Sequence, residues 1–143
     1  MNVLFLCTGN SCRSIMAEAL FNYMTPQGIQ AMSAGSYPTG KVHPRSLALL
    51  ERKGVPTAGY YSKSWAEISL KPDLVVTVCN NAANKTCPAF FGNIERIHWD
   101  FEDPAKVTGT DEEIDAAFEE VYSILRTKIE DFFCSIKAEE GRR

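Results

Sequence analysis

A cysteine and an arginine near the start of the chain have a spacing that suits oxyanion chemistry. Cys7 and Arg13 have five residues between them, and a β-branched and aromatic run precedes them. A loop that closes onto a helix N-terminus points backbone N–H groups inward, and the helix dipole adds positive potential. The planar Arg13 guanidinium can face two oxygens of a bound tetrahedral anion. We therefore expect an oxyanion site made of Thr8, Gly9, Asn10, Ser11, Cys12, Arg13 and Ser14.

The positive potential at the helix N-terminus also favours the thiolate form of Cys7, which is the nucleophilic form. Ser14 is placed to donate a hydrogen bond to that sulfur, and Gly9 and Asn10 tolerate the positive φ values that such a loop requires. Cys12 is predicted to pack beneath the loop, and the proposed chemistry does not require its thiol. In the alternative interpretation Cys7 is a buried structural cysteine, but its place between a strand and a helix favours the functional one.

Other reactive side chains follow two further predicted strands. Cys79 comes directly after the buried run at 73–78, and Asp103 lies a few residues after the run at 94–99, with Asp100 and Glu102 as nearby alternatives. Loops that follow parallel strands leave from the same edge of a sheet, where ligands bind. The topology therefore predicts that Cys7, Cys79 and Asp103 gather at one edge.

The elements that must position these residues alternate between strands and helices. Short apolar runs predict strands at 2–6, 29–33, 73–78 and 94–99, and apolar periodicity predicts helices at 13–24, at 44–53 and from 111 onward. A single helical turn is expected near Trp65. This order predicts an α/β fold with a parallel sheet. We assign residues 1–138 to one domain and 139–143 to a frayed tail.

Composition and charge exclude several classes of protein. The net charge is −3 and there is no basic stripe, which argues against nucleic acid or an anionic membrane as the main partner. No run is long enough to span a bilayer and no signal peptide is evident, so we expect a cytoplasmic protein. Five cysteines in such a protein indicate redox, metal or catalytic use.

The segment VLFLCTGNSCRSIMAEAL at 3–20 resembles the phosphate-binding loop and first helix of low-molecular-weight protein tyrosine phosphatases and of the arsenate reductases that share their fold. The resemblance extends through SAG at 33–35, His43-Pro44, VVTVC at 75–79 and HWDFEDP at 98–104. It implies a single domain with a four-stranded parallel sheet flanked by helices. It also implies that Cys7 is the nucleophile and that Asp103 is the general acid.

Two features favour the reductases over the phosphatases. Related phosphatases carry tyrosines directly after Asp-Pro, whereas here Asp103-Pro104 is followed by Ala-Lys-Val. Cys79 and Cys87 also form a pair with seven residues between them. The resembling reductases have such a pair, although some of the thioredoxin-linked ones have one residue fewer between the two cysteines. The resemblance therefore implies reduction of arsenate through Cys7, Cys79 and Cys87, with thioredoxin as the external reductant and weak phosphatase activity as a side reaction.

Several alternatives stay open. The reductant could be a glutaredoxin–glutathione or mycothiol system, and the protein could be a phosphatase or a non-enzymatic oxyanion or redox sensor. A zinc site of Cys12, Cys79, Cys87 and His98 lacks the usual short cysteine spacing. No tightly bound cofactor is expected, although Asn10 and Ser33 match positions that help to bind potassium in some relatives. We expect a monomer, with Cys134 exposed and His43 capping or packing at a helix start.

Overall fold

The computed structural model describes residues 2–7, 10, 12–24, 29–35, 38–68, 71–78, 94–99, 101 and 104–141, and it centres on a parallel sheet. The strands are β1 (Asn2–Cys7), β2 (Gln30–Gly35), β3 (Leu74–Thr77) and β4 (Glu95–His98), in the order β2-β1-β3-β4. The helices are α1 (Arg13–Met24), α2 (Pro44–Arg52) and α3 (Asp111–Gly141), with 3₁₀ turns at Trp65–Glu67 and Pro104–Lys106. The predicted four-stranded α/β fold is confirmed.

The central strand β1 carries apolar side chains on both faces. Val3, Phe5 and Cys7 belong to the large core cluster that contains residues of all three helices, whereas Leu4 and Leu6 belong to a smaller cluster on the other face. This division follows from the alternation of side chains along a strand. A strand that is buried on both faces is typical of a parallel sheet. Cys7, as the last residue of β1, is therefore held by core packing.

Helices α1, α2 and α3 contact one another over the large core cluster. The apolar stripe predicted for the last helix is buried over its first five positions, which are Phe118, Val121, Tyr122, Leu125 and Ile129. Cys134 is exposed, as predicted. The helix is long, but among the described residues no helix has both the length and the apolar character needed to cross a membrane.

Both ends of α2 have local signals that explain where the helix begins and ends. His43 is the N-cap: its Nδ1 accepts a hydrogen bond from the backbone N–H of Arg45, and Pro44 occupies the first turn. The His43 ring also packs 5.0 Å from the ring of Phe118. After Lys53, Gly54 adopts a φ of 76°, which ends the helix. His43 therefore caps and packs, as predicted.

Candidate active site

The C-terminal edge of the sheet brings together the last residues of β1, β2 and β3. Cys7 is paired in register with Gly35 of β2, and Leu6 is paired with Thr77 of β3. The backbone N–H of Val78 donates to the carbonyl of Leu6 at 2.9 Å, so the ladder extends one residue past β3. The parallel register therefore places Val78, the residue before Cys79 in sequence, level with Cys7.

The Cys7 sulfur is enclosed by polar groups of the loop and of α1. It lies 2.8 Å from Ser14 Oγ, and it accepts a hydrogen bond from the backbone N–H of Asn10 at 3.2 Å. Cys7 is only 2% exposed. Donors directed at a sulfur near a helix N-terminus stabilise a thiolate. The predicted contact between Ser14 and Cys7 is confirmed.

Asn10 is fully buried and lies between the Cys7 sulfur and β2. Its φ of 48° lies in the left-handed region, which asparagine tolerates better than most residues, as the sequence predicted. Its Nδ2 donates to Ser14 Oγ at 2.8 Å and to Ser33 Oγ at 3.0 Å. Its Oδ1 accepts from the backbone N–H of Lys63 at 2.8 Å. Asn10 therefore joins three separate segments behind the Cys7 sulfur.

Arg13 begins α1 and is buried rather than extended into solvent. Its Nη1 donates to the carbonyl of Phe101 at 3.3 Å, which ties the start of α1 to the segment after β4. Cys12 precedes it and is buried in the large core cluster, as predicted, and its carbonyl accepts from the N–H of Met16 in the first helical turn. The guanidinium is thus restrained by the protein itself, and such restraint lowers the entropy cost of binding a ligand.

Glu18 and Lys63 also belong to the site, although the sequence interpretation did not include them. Ser33 Oγ donates to Glu18 Oε1 at 2.6 Å, and Lys63 Nζ lies 3.9 Å from the same oxygen. Burial raises the pKa of Glu18, while the Ser33 hydrogen bond and the Lys63 charge act against that rise. Glu18 lies one turn after Ser14 on α1, a spacing that could have indicated it. Lys63 lies in an irregular segment and gave no such signal.

Part of the predicted site lies outside the described residues. These positions are Thr8, Gly9, Ser11, Cys79, Cys87 and Asp103. Within the described part of the chain, no group of three or more histidine, cysteine, aspartate or glutamate residues could hold a metal ion. His98, one member of the alternative zinc set, has its Nδ1 2.6 Å from Thr77 Oγ1. The described part of the site therefore consists of the predicted residues Cys7, Asn10, Arg13, Ser14 and Ser33, together with Glu18 and Lys63.

Comparisons with known proteins extend over almost the whole chain. The family model described as low molecular weight phosphotyrosine protein phosphatase matches residues 2–142. An arsenate reductase of Halalkalibacterium halodurans is 41% identical over 131 residues, which are 91% of this chain and 93% of that protein. The crystal structure of an arsenate reductase from Archaeoglobus fulgidus matches with a TM-score of 0.70 at 30% identity, covering 89% of this chain and 98% of that one.

A third similarity supports the fold alone. A thioredoxin-dependent arsenate reductase of Corynebacterium glutamicum matches with a TM-score of 0.72 at 22% identity, covering 96% of this chain and 62% of that one. A buried cysteine ends a parallel strand and an arginine begins the next helix, which is the arrangement that the sequence predicted for oxyanion chemistry. The chain belongs to the low molecular weight phosphotyrosine protein phosphatase family, which confirms the resemblance found in the sequence.

Proposed function

We propose that the protein reduces arsenate to arsenite, with Cys7 as the nucleophile and with Cys79 and Cys87 as the thiols of a disulfide relay. One observation carries the proposal: the parallel register of β1 and β3 sets Val78 level with Cys7, and Cys79 is the next residue in the sequence. A second thiol directly after that position suits an exchange with Cys7. The 41% identity to an arsenate reductase supports the same function.

The proposed reaction begins at the oxyanion loop. The Cys7 thiolate attacks arsenic, and Asp103 protonates the departing oxygen, which leaves as water and gives a Cys7–arsenic(V) adduct. Arg13 and the loop N–H groups bind the remaining oxygens. Asp103 is two residues from Phe101, whose carbonyl accepts from Arg13. Asp100 and Glu102 are nearer still to Phe101 in sequence, so the choice of Asp103 among these acids rests on the resemblance of Asp103-Pro104 to the family's Asp-Pro pair.

Two thiol exchanges complete the proposed cycle. The Cys79 thiolate attacks the Cys7 sulfur, the sulfur–arsenic bond breaks with its electron pair on arsenic, and arsenite departs from a Cys7–Cys79 disulfide. Cys87 then attacks Cys79, which releases the Cys7 thiolate and leaves a Cys79–Cys87 disulfide. A dithiol reductant then reduces this disulfide to two thiols and is itself oxidised to a disulfide. We propose thioredoxin as this reductant, which is the dependence named for the Corynebacterium protein.

The experiment that tests this function measures arsenite release with thioredoxin, with glutaredoxin and glutathione, and with a mycothiol system. Replacement of Cys7, Cys79 or Cys87 by Ser is expected to abolish turnover with every reductant. Cys134→Ser is the matched control, because this thiol lies exposed on α3, and it is expected to retain the wild-type rate. Thioredoxin is expected to support the fastest turnover.

Mass mapping of the product gives an independent test. After one arsenate turnover without reductant, the expected link is Cys79–Cys87. Cys7 and Cys12 are both buried thiols in the structure. A lasting Cys7–Cys12 link would contradict the relay, and so would full turnover by Cys79→Ser.

A phosphatase is the second candidate function, because the family model that matches residues 2–142 describes phosphatases. It predicts fast hydrolysis of an aryl phosphate by wild type and by Cys79→Ser alike. The reductase proposal expects only weak hydrolysis, since the anion loop is shared between the two chemistries. A non-enzymatic sensor would release at most one arsenite per chain even with excess reductant, so multiple turnover excludes it.

A further inference from the structure

A buried ion pair lies behind the nucleophile loop. Glu18 and Lys63 are only 7% and 9% exposed, and their charged atoms are 3.9 Å apart. Ser33 Oγ donates to Glu18 and accepts from Asn10 Nδ2, and that same Nδ2 donates to the Ser14 hydroxyl beside the Cys7 sulfur. A continuous chain of hydrogen bonds therefore runs from this ion pair to the nucleophile.

Lys63 is joined to this series of hydrogen bonds by its backbone as well as by its side chain. Its N–H donates to Asn10 Oδ1 at 2.8 Å, and its carbonyl accepts from the N–H of Gly35 at 2.9 Å. Its Nζ donates to the carbonyl of Tyr61 at 3.2 Å and lies 4.5 Å from the centre of the Tyr61 ring. The ammonium is thus held by a carboxylate, a carbonyl and an aromatic face.

The orientation of the Asn10 amide follows from these contacts. A backbone N–H can only donate, so the Asn10 atom that faces Lys63 N is the carbonyl oxygen Oδ1. The NH₂ group must then face Ser14 and Ser33, both of which can accept. The side of Asn10 that faces Ser33 is therefore a donor rather than a metal ligand.

A potassium ion near Asn10 and Ser33 does not fit this arrangement. Such an ion needs oxygen ligands, but Asn10 directs its Oδ1 at Lys63 N and its NH₂ group at Ser33, so it offers no oxygen on the Ser33 side. The carboxylate of Glu18 already has the Lys63 ammonium near it. A potassium ion at the same carboxylate would be repelled strongly by this ammonium, because little water screens two positive charges in a buried site.

We propose that the ammonium of Lys63 is the resident cation of the nucleophile loop, so that Lys63 is a positioning residue for Cys7 and no monovalent metal ion is required. Lys63 neutralises Glu18, Glu18 orients the Ser33 hydroxyl, and Ser33 together with Lys63 N orients Asn10. Asn10 in turn donates its backbone N–H to the Cys7 sulfur. The inference rests on the proposed role of Cys7 as nucleophile, but it does not depend on the identity of the substrate.

The test measures carboxymethylation of Cys7 by iodoacetate, followed by peptide mass spectrometry, in potassium chloride and in tetramethylammonium chloride. We expect wild type to react at the same rate in the two salts, and Lys63→Met to react at least about tenfold more slowly in tetramethylammonium, because a buried carboxylate loses its partner. Lys63→Arg keeps the charge and is expected to stay close to wild type. Lys71→Met removes an exposed lysine and is the matched control.

A double variant separates charge compensation from a purely structural role. In Lys63→Met/Glu18→Gln both charges are absent, while the Gln carbonyl can still accept from Ser33. We expect this variant to recover most of the rate that Lys63→Met loses. A double variant as slow as Lys63→Met would overturn the proposal, and so would a wild-type rate that rises severalfold in potassium. Should Lys63→Met fail to fold, the double variant and Lys63→Arg still decide the question.

Alkylation needs no arsenate, so the two proposals can fail separately. If the protein releases no arsenite but the Lys63 variants are alkylated as expected, only the proposed function is wrong. Failure of the present inference would appear as salt-dependent or Lys63-independent alkylation while arsenite release is intact.

Discussion

The Cys7 sulfur and the Ser14 hydroxyl lie 2.8 Å apart, and the same hydroxyl accepts a hydrogen bond from Asn10 Nδ2. A thiolate can only accept, so the Ser14 proton points to sulfur when Cys7 is ionised. A hydrogen bond to a charged group contributes about 1.5–3 kcal/mol. The Ser14 hydroxyl is therefore placed to donate to the sulfur of Cys7 during the proposed reaction.

Replacement of Ser14 by Ala is expected to slow both Cys7 carboxymethylation and arsenate reduction by roughly 10–100-fold, the rate equivalent of that hydrogen bond. Ser46→Ala is the control: Ser46 is also a buried helical serine, but its Oγ has no hydrogen-bond partner in the described part of the chain. We expect wild-type rates for the control. Equal rates for Ser14→Ala and wild type would show that the backbone N–H of Asn10 suffices.

The sequence predicted the contact between Ser14 and Cys7 but not the pair of Glu18 and Lys63. The first contact lies within one strand–loop–helix unit, where local geometry decides which side chains meet. The second joins a helix to an irregular segment, and its position depends on how that segment crosses the end of β2. No periodicity marks such a segment, so its side-chain contacts can be known only from the tertiary structure.

Among the helices, α2 shows how a local signal fixes the end of an element. Gly54 has a φ of 76°, its N–H donates to Glu51 O at 3.1 Å, and the next N–H, of Val55, donates to Leu50 O at 2.9 Å. The left-handed turn satisfies these helical carbonyls and directs Val55 into the core, where it is buried. A residue with a Cβ is strained in this conformation even where there is space for it.

The variant Gly54→Ala is expected to lower the free energy of unfolding by about 1–2 kcal/mol, the cost of a left-handed conformation for an L-residue. Urea denaturation followed by far-UV circular dichroism measures this change. Glu51→Ala, at an exposed position one turn earlier on the same helix, is expected to change the value by less than about 0.5 kcal/mol. A loss at Gly54 no larger than that at Glu51 would show that the turn relaxes.

Strand ends were less predictable than helix ends. The strand predicted at 29–33 ends at Gly35 in the structure, because Ala34 and Gly35 pair with Leu6 and Cys7 of β1. The strand predicted at 73–78 is Leu74–Thr77. The apolar pattern identified the strands, but their last residues depend on which neighbouring strand offers hydrogen bonds. That pairing also decides which residues are level with Cys7.

One apolar cluster connects Cys7 and Cys12 to all three helices. Cys7 and Cys12 belong to the same buried cluster as Phe118 of α3, although most of the sequence lies between these cysteines and α3. A single cluster of this kind favours cooperative two-state unfolding in a domain of this size. We therefore expect the packing around Cys7 and Cys12 to be lost together with the rest of the core.

Phe118→Ala tests this coupling, because the ring is 1% exposed and packs against His43. Loss of a buried phenylalanine costs about 3–5 kcal/mol, so the urea midpoint is expected to fall sharply. Ile124→Ala is the control on the same helix, and because Ile124 is 38% exposed we expect a much smaller effect. Alkylation of buried Cys12 by iodoacetamide, circular dichroism and tryptophan fluorescence are expected to share one midpoint in each variant. Alkylation of Cys12 at a lower urea concentration than the loss of helix would mean that the loop opens independently of the core, and that the packing of α3 does not govern the site.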